Sequence, residues 1–315
     1  MDHCVFIQTN HKQMTGAIVA THALRRYSQH NDQFDIKIID NRDYPYFAAR
    51  EGQMYLRDTL QRVWLNDDLQ SFTPTRFMPP ELMGYKGRAV VIDPDVFACV
   101  DIWDLLNMDM QGKAIMCRKR SGAKGLVDKA WATSAMLLDC EKLKHWQVEK
   151  QFNAMFDDNH DYMRWVSLHN EDPDTIGLID PHWNDFDKFS LDTKMLHTTR
   201  RKTQPWKSGL PVDWRPAEKF RLFPPLAWLM RARRRFFGEY AFLGDYKKHP
   251  DQNQENFFFG LVKECLENGM ITEEFLKQEM EQNHVRHDAF EVVAQVPDLP
   301  PAPAHPLSAV MSRAA

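Results

Sequence analysis

Residues 85–95 read Tyr-Lys-Gly-Arg-Ala-Val-Val-Ile-Asp-Pro-Asp, an apolar run that ends in two aspartates one residue apart. A buried strand ending in Asp-x-Asp presents two carboxylates at a sheet edge. Carboxylate oxygens suit hard cations such as Mg²⁺ and Mn²⁺, and such a cation can hold a diphosphate. The chemistry indicated is that of a nucleotide-activated substrate. Three Asp-x-Asp pairs occur, at Asp93/Asp95, Asp172/Asp174 and Asp185/Asp187. Only the first follows an apolar strand. Its plainer reading is a strand-ending turn, since Asp and Pro both favour turns. His197 is the next element: an imidazole added to two carboxylates moves a site toward Mn²⁺. Behind it stand Arg200, Arg201, Lys202 and Lys207. They read either as a solvated basic loop or as a clamp on phosphate oxygens.

These residues need elements to carry them. Val5-Phe6-Ile7 is a short apolar run that stops at Gln8-Thr9-Asn10. Residues 16–27 then carry apolar side chains at helical spacing, and Ile36, Ile38 and Ile39 form a second strand. This β-α-β opening predicts a parallel sheet with helices on its faces. Residues 53–65 and 140–156 read as helices, and 77–85 as a short helix opened by Pro79-Pro80. Residues 89–92 are apolar throughout, as a central strand covered on both faces should be. Further strands are expected at 113–117 and 133–138, with a brief apolar element at 194–196. In open parallel sheets ligands gather at the carboxyl ends of strands, and Thr9, Asn10, Asp93, Asp95 and His197 all follow such ends.

Composition bounds the answer. The 315 residues are 43% hydrophobic and 27% charged, as in a soluble globular protein with one large α/β domain and an appendage. A net charge of −4 and a pI near 6.4 argue against a dedicated nucleic-acid binder. Five scattered cysteines without a C-x-x-C pair, and an N-terminus that goes straight into a strand, predict reduced thiols and a cytoplasmic location. Three segments are expected: a catalytic domain at 1–215, a helical extension at 216–294 and a disordered Pro/Ala-rich tail at 295–315. Within the extension, 221–237 is apolar and basic together. It either packs on the body or lies on an anionic membrane, which would place the protein peripherally at a membrane's inner face. Residues 256–281 form one long helix whose Phe257-Phe258-Phe259 run offers an oligomer interface.

In order, the chain shows Thr9-Asn10, Arg76-Phe77-x-x-Pro80-Glu81-Leu82, Tyr85-Lys86-Gly87, Asp93-Pro94-Asp95, Asp101-Ile102-Trp103-Asp104-Leu105, Thr133-Ser134-Ala135-Met136-Leu137-Leu138 and His197-x(7)-Pro205-Trp206. Over about residues 5–209 this resembles the glycogenin-like, family 8 retaining glycosyltransferases. The resemblance implies a GT-A, Rossmann-like fold: a mixed, mostly parallel sheet flanked by helices, here with a C-terminal helical extension. It implies that Asp93, Asp95 and His197 bind Mn²⁺ (or Mg²⁺), and that Asp93 also touches the ribose of a UDP-sugar. Thr9 and Asn10 would hold the uridine, Arg76 and Lys86 would lie near the nucleotide or donor sugar, and Thr133 and Ser134 would line the sugar pocket. Glu171 and Asp172 take the place of the family's Asp-Gln pair beside the reacting carbon. The closing loop departs from the family: it has no glycine and carries Gln204 where a lysine is usual. The diphosphate clamp would then pass to Arg201, Lys202 or Lys207. The expected activity is hexose transfer from a UDP-sugar to a hydroxyl of a glycan or glycolipid. The alternatives are a sugar-nucleotide nucleotidyltransferase, disfavoured by a single glycine across 8–16, and a non-catalytic membrane- or partner-binding protein on a transferase scaffold.

Overall fold

The computed structural model describes residues 2–58, 60–120, 131–157, 160–215, 224–238 and 240–308. The strands are β1 (His3–Thr9), β2 (Asp35–Asp40), β3 (Met54–Arg57), β4 (Leu60–Val63), β5 (Arg88–Ile92), β6 (Val96–Ala98), β7 (Ile115–Lys119), β8 (Trp131–Asp139), β9 (Ile176–Leu178), β10 (Asp185–Phe186) and β11 (Met195–His197). The helices are α1 (Met14–Tyr27), α2 (Pro45–Ala48), α3 (Pro79–Leu82), α4 (Trp103–Leu106), α5 (Val148–Asp157), α6 (Tyr162–Val166), α7 (Pro224–Phe237), α8 (Gln252–Glu267), α9 (Glu273–Glu281) and α10 (Ala289–Gln295).

Six strands form the main sheet in the order β2-β1-β5-β8-β7-β9, and β8 alone runs against its neighbours. This is the mixed, mostly parallel sheet flanked by helices that the sequence predicts. Alternation along each strand sorts side chains onto two faces. Val5, Ile7, Val90, Ile92, Ala135 and Leu137 join one apolar core, which α1 and α8 cover. Phe6, Ala89, Val91, Met136 and Leu138 join the other, under the aromatic cluster of Phe47, Trp64, Phe77, Trp146 and Phe152. The five cysteines are all buried and unpaired. Burial pushes the Cys4, Cys140 and Cys265 thiols up to about 12.

A second, three-stranded sheet, β10-β11-β6, matters most for the chemistry. β6 begins directly after Asp95, and β11 ends on His197. Their antiparallel register sets His197 opposite Val96, and the Thr198 amide donates to the Asp95 carbonyl at 3.1 Å. Strand pairing thus closes the hundred-residue gap between the acidic turn and the imidazole. The turn is also held from behind. A Cβ at Gly16 in α1 would sit 2.4 Å from the Pro94 carbonyl oxygen, so only glycine lets helix and turn approach this closely.

Several expectations need correction. Residues 53–65 form the β3–β4 hairpin, not a helix. Their apolar spacing fits both periods, and tertiary packing decides: the Tyr55 and Trp64 rings meet edge-on at 5.8 Å, and Trp64 packs on Phe152 at 4.9 Å. The helix expected over 140–156 begins only at Val148, because a 3₁₀ turn occupies Cys140–Lys142. The long helix at 256–281 is two, α8 and α9. They are divided at Gly269, which takes φ +77°, and α9 restarts where the Thr272 hydroxyl accepts from the Phe275 amide at 3.1 Å.

The C-terminal helices share their core with the sheet. Phe257, Phe258 and Phe259 are buried beside Trp206, Ala20 and Leu24, so they supply no surface for an oligomer. The tail expected to be disordered from 295 is packed as far as 308. The Pro300 carbonyl accepts from Arg26 at 2.7 Å, His305 meets the Thr193 carbonyl at 3.0 Å, and Leu299 lies over Gly260. Hydrogen bonds to the body, rather than a large apolar surface, anchor it. Residues 216–223 and 309–315, where the basic-aromatic stretch opens and the tail ends, lie outside the described residues.

Candidate active site

β5 carries Asp93 and Asp95 to the carboxyl edge of the sheet, and β11 brings His197 beside them. One ligand atom from each of the three lies within 4.8 Å of the others. His197 Nε2 is 3.3 Å from Asp95 Oδ1. Its Nδ1 meets Asn184 Oδ1 at 2.8 Å, and Asn184 in turn donates to Ser134 Oγ at 3.0 Å. An amide oxygen can only accept, so Nδ1 carries the proton and Nε2 is free to ligate. Gln204 Nε2 donates to Asp95 Oδ2 at 3.2 Å. Asp93 accepts from Gln8 Nε2 and, at 3.0 Å, from the guanidinium of Arg76. Arg76 also donates to Thr133 Oγ1, which donates onward to the Val166 carbonyl at 2.7 Å.

The electrostatics favour an added cation. Burial pushes the Asp93 carboxyl above the usual carboxylate range, and Asp95 adds to the rise against the opposing pull of Arg76. Burial disfavours a charged His197, yet Asp95 and Asp93 together outweigh it and raise its pKa. Both groups therefore hold protons more tightly than usual, and a divalent ion would supply that positive charge instead. Two carboxylates, one imidazole of fixed tautomer and a hydrogen-bonded outer shell fit Mn²⁺ or Mg²⁺.

The three side chains border a cleft. Its walls include Arg76, Thr133 and Ser134 as expected, together with Arg201 and Gln204. Sequence reasoning missed Gln13, Arg57, Arg120, Trp131 and the Tyr162–Ser167 wall. Arg57 sits at the tip of the misread hairpin. Arg120 directly follows β7 and has no neighbouring motif. Asn184 had a signal: it directly precedes the Asp185/Asp187 pair, which braces the His197 loop. There Asp187 accepts from the Arg200 amide at 3.0 Å and from the Thr199 hydroxyl.

Other expected residues do not reach the cleft. Thr9 and Asn10 are buried at the end of β1. Asn10 Nδ2 donates to the Asp68 and Leu69 carbonyls and to Ser71 Oγ, so it supports the loop from which Leu69, Gln70 and Phe72 line the cleft. Lys86 is exposed and precedes β5, at the opposite end of that strand from Asp93. Lys202 is exposed outside the cleft walls. Lys207 is wholly buried, with Nζ 3.0 Å from Asp213 Oδ2 and 3.3 Å from the Asn283 carbonyl. Burial pushes its pKa down, and it ties the 204–207 turn to the C-terminal helices. Glu171 is engaged by Trp146 Nε1 at 2.9 Å and His145 Nε2 at 2.8 Å. Asp172 caps the turn at 173–175 by accepting from the Asp174 amide at 3.0 Å. Neither residue lines the cleft.

No family model and no curated protein sequence matches the chain. Among solved structures, it is similar to the galactosyltransferase LgtC in complex with donor and acceptor sugar analogues, at 12% identity and TM-score 0.46, covering 65% of this chain and 89% of that one. It is similar to the glycosyltransferase GlyE of Streptococcus pneumoniae TIGR4 at 11% identity and TM-score 0.46, covering 85% and 64%. Mouse xyloside xylosyltransferase 1 follows at 12% identity and TM-score 0.41, covering 63% and 97%. At such identities the reading of the cleft rests on its own side chains.

Proposed function

We propose that this protein is a divalent-cation-dependent glycosyltransferase that moves a hexose from a nucleoside-diphosphate sugar, UDP-linked, to a hydroxyl acceptor of glycan or glycolipid type with retention. The observation that carries this reading is the convergence of Asp93, Asp95 and His197 beneath a cleft walled by arginines. Asp93, Asp95 and His197 would hold the ion, which when bound supplies Lewis acidity toward a departing diphosphate. Arg76 and Arg120 place fixed positive charge beside Asp93, preorganised for phosphoryl oxygens. Gln8, Gln204 and Asn184 hold the ligands in orientation. Trp131 and Tyr162 narrow the site against water.

Among the described lining residues Asp93 and Asp95 are the only carboxylates. With Glu171 and Asp172 outside, this favours same-face attack, the leaving phosphate taking the acceptor's proton, over a covalent glycosyl intermediate. Asp95→Asn should abolish Mn²⁺-dependent turnover of a UDP-sugar, and full activity in that variant would refute the assignment. Thermal-shift titration with Mn²⁺ and UDP-, GDP- and ADP-sugars tests the nucleotide, since a bound donor stabilises by mass action.

The same reading includes peripheral contact with an anionic membrane. No helix among the described residues is long and apolar enough to cross a bilayer. α7, however, leaves Trp228 72% and Phe236 77% exposed, with Leu229 and Phe237 also open and Arg235 on its surface. Apolar and basic side chains together suit an interfacial helix. Sedimentation with phosphatidylglycerol vesicles, lost in Trp228→Ala/Phe236→Ala, checks it; equal binding to neutral vesicles would count against it.

A further inference from the structure

Four arginines, Arg57, Arg76, Arg120 and Arg201, face two aspartates across the cleft. A divalent ion at the aspartates adds to the positive side. A diphosphate esterified at both ends brings only one negative charge per phosphoryl group, so donor and metal together leave positive charge unmet. The surplus has a location. Arg76 is paired with Asp93 at 3.0 Å. Neither Arg57 nor Arg201 has a carboxylate within salt-bridge reach among the described residues, and both are held by aromatic rings instead. The Arg57 guanidinium lies 4.7 Å over the Tyr162 ring and reaches the Tyr55 hydroxyl at 3.5 Å. That of Arg201 lies 5.4 Å over the Trp214 ring. A ring face fixes a guanidinium plane while leaving its N–H edge free for a planar or tetrahedral oxyanion. The two groups also repel. Burial lowers the Arg201 pKa, and the charge on Arg57 lowers it further against the weaker pull of Asp68 and Asp95. Unpaired like charges in one cleft are costly until an anion joins them.

We propose that Arg57, with Arg201 beside it, forms a second anion subsite, which takes a phosphate or carboxylate carried by the acceptor. This rests on the transferase reading and narrows it: the hydroxyl that receives the sugar belongs to an acidic molecule.

The test is calorimetry on the full chain saturated with Mn²⁺ and UDP, titrated with glucose, glucose 6-phosphate and glucuronate. The two charged sugars should bind at least tenfold tighter than glucose at low salt, and whichever is tighter identifies the anion. Arg57→Leu should reduce that preference below twofold while leaving UDP affinity within threefold, and Arg57→Lys should keep part of it. Equal binding of charged and neutral sugars by the wild type would overturn the proposal. So would loss of UDP affinity in Arg57→Leu with the preference unchanged, since Arg57 would then serve the donor. If wild type binds no UDP with Mn²⁺, the transferase reading fails separately. The subsite is then judged on the nucleotide-free protein, where an Arg57-dependent preference for glucose 6-phosphate supports it and the lack of one refutes it.

Discussion

Replacing Asn184 with leucine should weaken the metal site without touching a ligand. The amide is fully buried, accepts from His197 Nδ1 at 2.8 Å and donates to Ser134 Oγ at 3.0 Å. Leucine has similar bulk but no acceptor, so the Nδ1–H is left buried and unpaired, at a cost of about 1–3 kcal/mol to folding. The ring is also freed to turn Nε2 away from Asp95. Loss of such an outer partner typically weakens metal binding by about 10–100-fold, equivalent to about 1.4–2.7 kcal/mol. Urea unfolding reads the first quantity, and free Mn²⁺ by electron paramagnetic resonance reads the second, without substrate. Asn184→Asp keeps an acceptor and should keep the affinity. Because the aspartates raise His197 above its ordinary 6.5, Mn²⁺ must displace a proton from it. Wild-type affinity should therefore still be climbing with pH above 6.5, where an ordinary imidazole would already be neutral, and then level. An Asn184→Leu protein that binds Mn²⁺ within twofold of wild type would refute the idea that this amide fixes the imidazole.

Two further outcomes are expected. Burial alone would raise the Glu264 carboxyl, but His22 and Arg26, at 2.7 Å each, hold it from 4.5 down to about 2. A depressed carboxyl stabilises the fold above its unfolded pKa and loses that contribution as pH falls toward 2. Solvent screening of this partly exposed group reduces the effect, so Glu264→Gln should lose about 1–2 kcal/mol at pH 7, and its denaturant midpoint should respond less to acid below pH 4.5 than that of wild type; an unchanged acid slope would contradict the linkage. Gly16→Ala should destabilise by about 1–3 kcal/mol through overpacking, despite a helix-propensity gain of about 1 kcal/mol, and should weaken Mn²⁺ binding by shifting the Asp93–Asp95 turn. Wild-type values for both would show that the turn yields freely.

The central strands and the meeting of Asp93, Asp95 and His197 were legible because each has its own signature. Buried residues at 89–92 have no polar face to hide, and an Asp-Pro-Asp follows them directly. His197 could be placed because its segment is apolar and short. Arg57 and Arg120 offer no such spacing: an arginine at a strand end looks the same whether it faces solvent or a cleft. Arg57 was further hidden by the hairpin, whose apolar spacing resembles a helix until Trp64 meets Phe152. Glu171 was expected beside the reacting carbon from its order along the chain, whereas Trp146 and His145 engage its carboxylate outside the cleft walls. Lys207 looked like a phosphate ligand because it closes the basic run behind His197, and full burial of a lysine is uncommon. Asp213, Tyr246 and Asn283, which make it possible, come later in the chain.

The sealed cysteines carry a practical benefit. With no thiol open to solvent among them, the native chain should ignore maleimide reagents under non-denaturing conditions. One cysteine introduced on the outer face of α7, for instance by Arg235→Cys, would then be the sole attachment point for a fluorophore. It would report on the surroundings of that helix without stripping the rest of the molecule of its own sulfur.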